Sequence, residues 1–325
     1  MLMIEAQGLA RRFDTKQGPV DAVHGLDFQV KQGEVVGFLG PNGAGKTTTM
    51  RMLTTLLPPT SGSATVAGRD LLRDPQGVRL EIGLVAQTGG TRPTATVMDE
   101  LMLQALLYRM PKAKARTRAE ELIAALDLSG LEERTTITLS GGQRRRLDVA
   151  LGLVHRPQVI FLDEPTAALD PASRISLWQL VRQLRDDYGT TVFLSTHHLE
   201  EADTLCDRIL ILDKGKILAE DSPAHLKQIL GNDVIVIEID GDVEAAYAAL
   251  AARPGGRNIA VDGSTVRISC ENGDQLLMEY LLALHDENIK VRSTQIERPT
   301  LDDVFMSITG RAAEEAPAIP HAAGF

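Results

Sequence analysis

Cysteine is almost missing from this 325-residue chain: Cys206 and Cys270 are the only two, far apart and without metal-ligand spacing. That excludes a disulfide scaffold and a cysteine zinc site, and it fits a reducing compartment. Long apolar runs are missing as well. Val159–Leu162 and Ile209–Leu212 fall far below the roughly 20 residues a membrane helix needs. The N-terminus, MLMIEAQGLARRFD, carries Glu5 early and lacks an apolar core of signal length. Positive charge is not in excess, with Lys+Arg 34 against Asp+Glu 44 and a net charge of -10. A nucleic-acid binder working by bulk charge is therefore disfavoured. Before residue 225 there are 28 acidic and 26 basic residues, and after it 16 and 8, so the acidity sits in the last part of the chain. These absences predict a chain made in the cytosol that works at a membrane, if it does so, through partners.

The remaining composition is ordinary for a globular protein, 43% hydrophobic and 24% charged, which argues against wholesale disorder. The length accommodates one large domain or one large and one small. The first 37 residues alternate in short β-like stretches, with a turn at Lys31-Gln32-Gly33. Glu34–Leu39 (EVVGFL) has the continuous apolar character of a buried parallel strand. A Gly-rich loop follows, then a helical segment from Lys46 to Leu57 stopped by Pro58-Pro59. Residues 98–153 are predicted mostly helical: a stretch to Met110, a basic hinge (PKAKARTR), 119–127, and a long helix after Gly142. Val159–Leu162 and Thr191–Ser195 are strands, separated by a helix from about Ser173 to Asp187. Alternating strands and helices predict a parallel sheet covered on its faces.

Beyond about residue 230 the pattern changes. Val234–Asp240 predicts a strand and Val243–Ala252 a helix. Asn258–Cys270 predicts a hairpin turning at Asp262-Gly263. Gly273–Glu287 is a helix, Ile289–Glu297 a strand, and Leu301–Thr309 a last helix with Thr300 as its cap. The order βαββαβ is that of a ferredoxin-like unit with one added helix. Residues 312–325 are low in complexity and predicted disordered.

Three motifs carry the chemistry. Gly40-Pro41-Asn42-Gly43-Ala44-Gly45-Lys46-Thr47-Thr48 contains G-x-x-x-x-G-K-[ST] between an apolar strand and a helix. Glycines there let backbone N–H groups cradle phosphate oxygens at a helix N-terminus; Lys46 reaches the outer phosphates and Thr47 ligates Mg²⁺. Val159–Leu162 runs into Asp163-Glu164, two carboxylates at the carboxyl edge of a strand. Alone, such a pair is more often a solvated turn; after a P-loop, Asp163 is placed to hold Mg²⁺ and Glu164 to polarise an attacking water. Leu139-Ser140-Gly141-Gly142-Gln143 then opens a helix with Ser140 as N-cap candidate, a second anion site about a hundred residues after the first.

Over about residues 3–223 these motifs resemble the ATP-binding subunit of ABC transporters. The resemblance implies a P-loop NTPase of ABC ATPase fold in residues 1–225: a RecA-like α/β core, an antiparallel β subdomain and a helical subdomain, about 88–154. A small α+β accessory or assembly domain, 226–311, follows. The resemblance implies ATP and Mg²⁺ and assigns roles residue by residue. Phe13 stacks on adenine, where many relatives have Tyr. Gln87 in GLVAQ is a Mg²⁺ or water ligand and sensor of the membrane partner. Asp170 in AALD addresses the opposing subunit, and His197 in LSTHH contacts the γ-phosphate, with His198 a surface neighbour. Ser140 and Gly142 would act in trans, so that two copies sandwich two ATP molecules head to tail. The stretch TGGTRPTATVMDEL departs from the family, with Asp99-Glu100 where Glu-Asn is common; partner identity is open there.

Arg144-Arg145-Arg146-Leu147-Asp148, IGLVAQTGG and Pro299-Thr300-Leu301-Asp302-Asp303-Val304-Phe305 look like the daunorubicin-resistance type of exporter ATPase. The three arginines also fit a solvated helix face. The resemblance implies an ATPase on the cytoplasmic face of the membrane that powers drug efflux through a separate permease, with no nucleic acid expected. Lipid or polysaccharide export is the alternative cargo. A soluble ATPase acting on nucleic acid or ribosomes is the competing class, disfavoured by the single cassette and the acidic tail. A small-molecule kinase would leave LSGGQ without a task.

Overall fold

The computed structural model describes residues 1–310 apart from Gln17, Ala168 and Asn232; the tail predicted disordered lies outside the described residues. The chain divides into one unit comprising Met1–Pro223 and another beginning at Ala224.

Along the first unit run β1 (Leu2–Thr15), β2 (Gly18–Lys31), β3 (Val35–Leu39), α1 (Lys46–Leu53), β4 (Ser61–Val66), β5 (Arg69–Asp70), α2 (Pro75–Glu81) and β6 (Ile82–Val85). Then come α3 (Val97–Leu107), α4 (Lys112–Ala125), α5 (Gly141–Leu153), β7 (Val159–Asp163), α6 (Pro171–Asp186), β8 (Thr191–Thr196), α7 (Leu199–Leu205), β9 (Arg208–Asp213) and β10 (Lys216–Asp221). Helix α8 (Pro223–Leu230) begins at the division.

The central sheet has the order β10-β9-β3-β8-β7-β6, parallel throughout except for the β9–β10 hairpin. Strands β3, β7 and β8 are buried at every residue, which is why they read as continuous apolar runs rather than alternations. A second sheet, β2-β1-β4-β5, is antiparallel. Phe28 on β2 meets Phe38 on β3 at 5.3 Å between ring centroids, and Phe38 meets Phe193 on β8 at 4.7 Å, both edge to face. Each such contact adds about 0.5–1.5 kcal/mol beyond the area it buries. This aromatic cluster joins the two sheets.

Several local expectations are corrected. The short stretches at the N-terminus are two 14-residue strands whose pairing shifts register between Ala6 and Leu9, which breaks the alternation. Helix α1 ends at Leu53, well before the prolines. The Thr54 hydroxyl bonds back to the Met50 carbonyl and Thr55 turns left-handed at φ 62°. The basic stretch is no hinge: it is the first half of α4, with Ala115, Ala119, Leu122 and Ile123 buried at helical spacing. Arg118 within it donates to the carbonyls of Leu153 and Val154, satisfying the open end of α5.

The second unit contains β11 (Asp233–Asp240), α9 (Val243–Ala251), β12 (Gly256–Asp262), β13 (Thr265–Cys270), α10 (Gly273–Asp286), β14 (Lys290–Glu297) and α11 (Leu301–Thr309). Its antiparallel sheet has the order β12-β13-β11-β14, the topology of the ferredoxin-like unit. Ile235, Ile237, Ile239, Val266, Ile268 and Cys270 share one face and form a core with Ala246, Leu250, Tyr280 and Leu284. Thr300 caps α11 reciprocally with Asp303.

Candidate functional site

The loops after β3, β7 and β8 meet at one edge because these strands are neighbours in register, with Leu39 beside Thr196 and Asp163 beside Ser195. Gly40 starts the P-loop where a Cβ would stand 2.2 Å from the Leu212 carbonyl oxygen, so only glycine fits. Gly45, at φ 102°, forms the N-cap of α1, with its Cα facing the Ala22 carbonyl. Ala44 is buried beneath the loop, Pro41 is half-buried, and Asn42 and Gly43 are exposed on its crest. Lys46, 4% exposed, donates from Nζ to the Gly40 and Pro41 carbonyls, so its head lies along the loop that its backbone helps to form. Thr47 and Thr48 follow in the first turn of α1.

Thr47 Oγ1 donates to Asp163 Oδ1 at 3.2 Å, tying the P-loop helix to β7. The same oxygen accepts from Ser195 Oγ at 2.5 Å. Glu164 takes φ 44°, a left-handed conformation unusual for a non-glycine residue. Its N–H is held by the Ser195 carbonyl and hydroxyl, both at 3.1 Å. Its carboxylate accepts from Gln87 Nε2 at 2.8 Å, and the other oxygen lies 3.2 Å from His197 Nδ1. The His197 bond holds this carboxyl below the usual carboxylate range, against the opposing effect of burial. Glu164 is therefore ionised at neutral pH and able to accept a proton from water. Of the three candidates for a metal, the structure pairs Thr47 with Asp163, whereas Gln87 is hydrogen-bonded to Glu164.

A second cluster gathers Ser140, Gly141, Gly142, Gln143 and Asp170, and leaves Phe13 apart. Ser140 caps α5, accepting from Gln143 N–H at 3.2 Å while Gln143 Oε1 accepts from Ser140 N–H at 3.0 Å. The Gln143 side chain is thus used in the cap. Gly141 is exposed, and Gly142 packs against Ser173 in the first turn of α6. Asp170 caps α6, accepting from the Ser173 N–H at 3.0 Å and hydroxyl at 2.6 Å. Phe13 stands on β1 with the Arg11 guanidinium 4.7 Å from its ring centroid, so one ring face is covered. His198 is half-buried, with its ring 4.1 Å from that of His197, rather than a plain surface residue.

Two residues that contact the candidate site escape the sequence reading. Ser195 becomes visible only once β8 is known to lie beside β7. Arg145 belongs to a run that resembles a solvated face; instead it is 7% exposed and donates to the carbonyls of Ala86, Asp163 and Pro165. Arg144 bonds the Thr136 carbonyl and Arg146 the Ser176 hydroxyl, so the run is not a solvated face.

The family profile "ABC transporter" matches residues 23–167, and "ATP-binding protein DrrA1-3-like, C-terminal domain" matches residues 222–309. The daunorubicin/doxorubicin resistance ATP-binding protein DrrA of Streptomyces peucetius is 40% identical over 314 residues, 96% of this chain and 94% of the relative. The linearmycin resistance ATP-binding protein LnrL of Bacillus subtilis is 32% identical over 316 residues, 96% of this chain and all of the relative. Among solved structures, an ATP-binding cassette captured as a dimer after hydrolysis with ADP and Pi superimposes at a TM-score of 0.63. It is 27% identical and covers 68% of this chain and 98% of its own. With a P-loop, a paired Asp163-Glu164 and a capped LSGGQ helix in these positions, the chain belongs to the ATP-binding proteins of ABC transporters and is an ATPase of that family.

Proposed function

We propose that this chain powers the export of a drug or similar hydrophobic compound through a separately encoded membrane permease, working as a head-to-tail pair on the cytoplasmic face of the membrane. The observation that carries the reading is the division of the site into two clusters. Lys46, Thr47, Asp163, Glu164, Gln87 and His197 gather at the carboxyl edge of the central sheet, while Ser140 and Gly141 open the separately capped helix α5. Each chain then closes its second cluster on the nucleotide held by the first cluster of its partner. Among the described residues no helix is long and apolar enough to cross a membrane, which supports a separate permease. The resistance names of the relatives support drug as cargo.

Thr47 and Asp163 supply hard oxygen donors 3.2 Å apart, and among the described residues no group of three or more His, Cys, Asp or Glu is arranged to hold a metal ion. That donor set fits Mg²⁺, which takes one or two protein oxygens and fills its shell with phosphate oxygens and water. Bound there, the ion neutralises phosphate charge. The P-loop amides and Lys46 hold the phosphates, Glu164 accepts the proton of the attacking water, and His197 and Gln87 orient Glu164. Phe13 offers a ring face to the base. The unit from Ala224 serves assembly. Co-expression with its permease in a drug-sensitive host tests the reading: the wild type lowers drug accumulation and Glu164→Gln does not. Equal accumulation with and without the wild-type pair would discard drug as cargo.

A further inference from the structure

Arginine 145 is buried in a setting that asks for its shape. A guanidinium presents five N–H donors in a rigid planar fork. Here Nε donates to the Pro165 carbonyl at 2.8 Å, Nη1 to the Ala86 carbonyl at 2.7 Å, and Nη2 to the Asp163 carbonyl at 3.1 Å. The Glu164 carbonyl lies 3.5 Å from the same Nη2. Its acidic neighbour on the helix, Asp148, is 3.9 Å away, too far for a bidentate pair. A buried charge spent on carbonyls costs more than an apolar side chain of equal volume would. What the fork does, and an apolar group cannot, is hold the main chain on both sides of Glu164 together with the residue preceding Gln87.

Glu164 needs such holding. Its φ of 44° persists only where the surroundings over-determine it. Ser195 fixes its N–H, the Ala167 N–H bonds the Glu164 carbonyl at 3.2 Å, and Arg145 donates to the carbonyls on either side, those of Asp163 and Pro165.

We propose that Arg145 is a positioning residue for hydrolysis: it clamps the turn that aims the Glu164 carboxylate in its own chain, and it ties that turn to the end of the strand before Gln87. The proposal rests on the reading of Glu164 as the proton acceptor. Because Arg145 lies on α5, five residues after Ser140, the helix that closes on the partner's nucleotide also carries the clamp for its own chain's carboxylate.

The test is a double-mutant cycle in the purified full-length chain, with Arg145→Met, Arg145→Lys, Glu164→Gln and the two combinations. ATP turnover, KM, affinity for a fluorescent ATP analogue and melting temperature are measured for each. Arg145→Met should lower kcat by about 30- to 100-fold, the scale of a small misplacement of a reacting group. KM and analogue affinity should stay within about twofold. Arg145→Lys, which keeps the charge but not the fork, should fall between, and it carries the test should the methionine variant not fold. In the Glu164→Gln background, neither Arg145 substitution should reduce the residual turnover further, because the group it positions is gone. An equal fold-loss in both backgrounds would overturn the proposal, as would a fall in nucleotide affinity that accounts for the whole effect. Wild-type-like turnover in Glu164→Gln alone would instead remove the reading of Glu164 on which the proposal rests.

Discussion

Gly142 faces Ser173 so closely that a Cβ on the glycine would stand 2.5 Å from the serine Oγ and 3.0 Å from its Cβ. Ser173 cannot swing aside without losing its bond to Asp170 at 2.6 Å. The second glycine of the LSGGQ helix is therefore needed by its own chain, whatever it does for a partner. At Gly141 a Cβ would meet only Leu169, at 3.9 Å.

These two glycines separate folding from closure. Gly142→Asp should destabilise the isolated chain by about 1–3 kcal/mol, the usual range for overpacking. Gly141→Asp should melt like the wild type, since a carboxylate at a helix N-terminus is favourable, and should bind ATP normally. It should nevertheless fail to dimerise with ATP, because in the proposed head-to-tail pair the carboxylate would face the partner's phosphate. Melting curves and ATP-dependent size-exclusion profiles check both; an unaltered melting temperature in Gly142→Asp would contradict the packing.

Closure in trans predicts complementation. Lys46→Ala should bind ATP poorly, and Gly141→Asp should not close. A mixed dimer has one composite site carrying both lesions and one carrying neither, so with its permease it should regain part of the activity that each parent lacks. Crosslinking of Asn42→Cys in one chain to Ser140→Cys in another should require ATP. A crosslink confined within single chains would end the trans reading.

Burial pushes the Asp148 carboxyl up to about 6, against the pull of Arg145 and Arg144. An acid whose folded pKa lies above its unfolded value favours the fold at low pH, where both states hold the proton. That stability is lost as pH rises from about 4 through about 6, at about 1.4 kcal/mol per unit of difference. Asp148→Asn should therefore gain on the order of 1–2 kcal/mol at pH 7.5. Its unfolding free energy should also be flatter between pH 4 and 6 than that of the wild type. Urea titrations across that range give the comparison, and parallel pH profiles would refute the burial argument.

Phe13 lends one ring face to Arg11, and the proposed site uses the other to stack on the base. Phe13→Ala should weaken ATP binding by about 1–3 kcal/mol, the range for losing a stacked ring, whereas Phe13→Tyr should leave it unchanged. Equal affinity in the alanine variant, measured by equilibrium titration, would mean that adenine stacks elsewhere.

Every candidate nucleotide contact lies within Met1–Pro223. A chain ended after Leu230 should bind ATP as the full chain does while losing support of transport. Undiminished resistance in cells carrying the short chain would show the second unit to be dispensable for assembly.

The sequence by itself determined what is local. The P-loop, the Ser140–Gln143 cap, the Thr300–Asp303 cap and the hairpin at Asp262-Gly263 depend on residues within a few positions of one another, where glycine φ and short side-chain bonds to the backbone decide the geometry. The βαββαβ order of the second unit was legible for the same reason, from apolar periodicity element by element. The basic stretch in α4 and the end of α1 were misread because Arg118 and Thr54 act through carbonyls, a use that composition does not reveal.

Only the tertiary structure decided which distant residues meet. Strand β3 lies between β9 and β8, and β7 lies beside β8, so Asp163 finds Ser195 and Thr47, and Glu164 finds Gln87 and His197, across 32 to 116 positions. Nothing in the chain order states that arrangement; it follows from covering both faces of a parallel sheet. Burial distinguished Arg145 from its neighbours in the same way. Three consecutive arginines are chemically equivalent in sequence, and the 3.6-residue turn of α5 directs only the middle one beneath the Asp163–Pro165 turn.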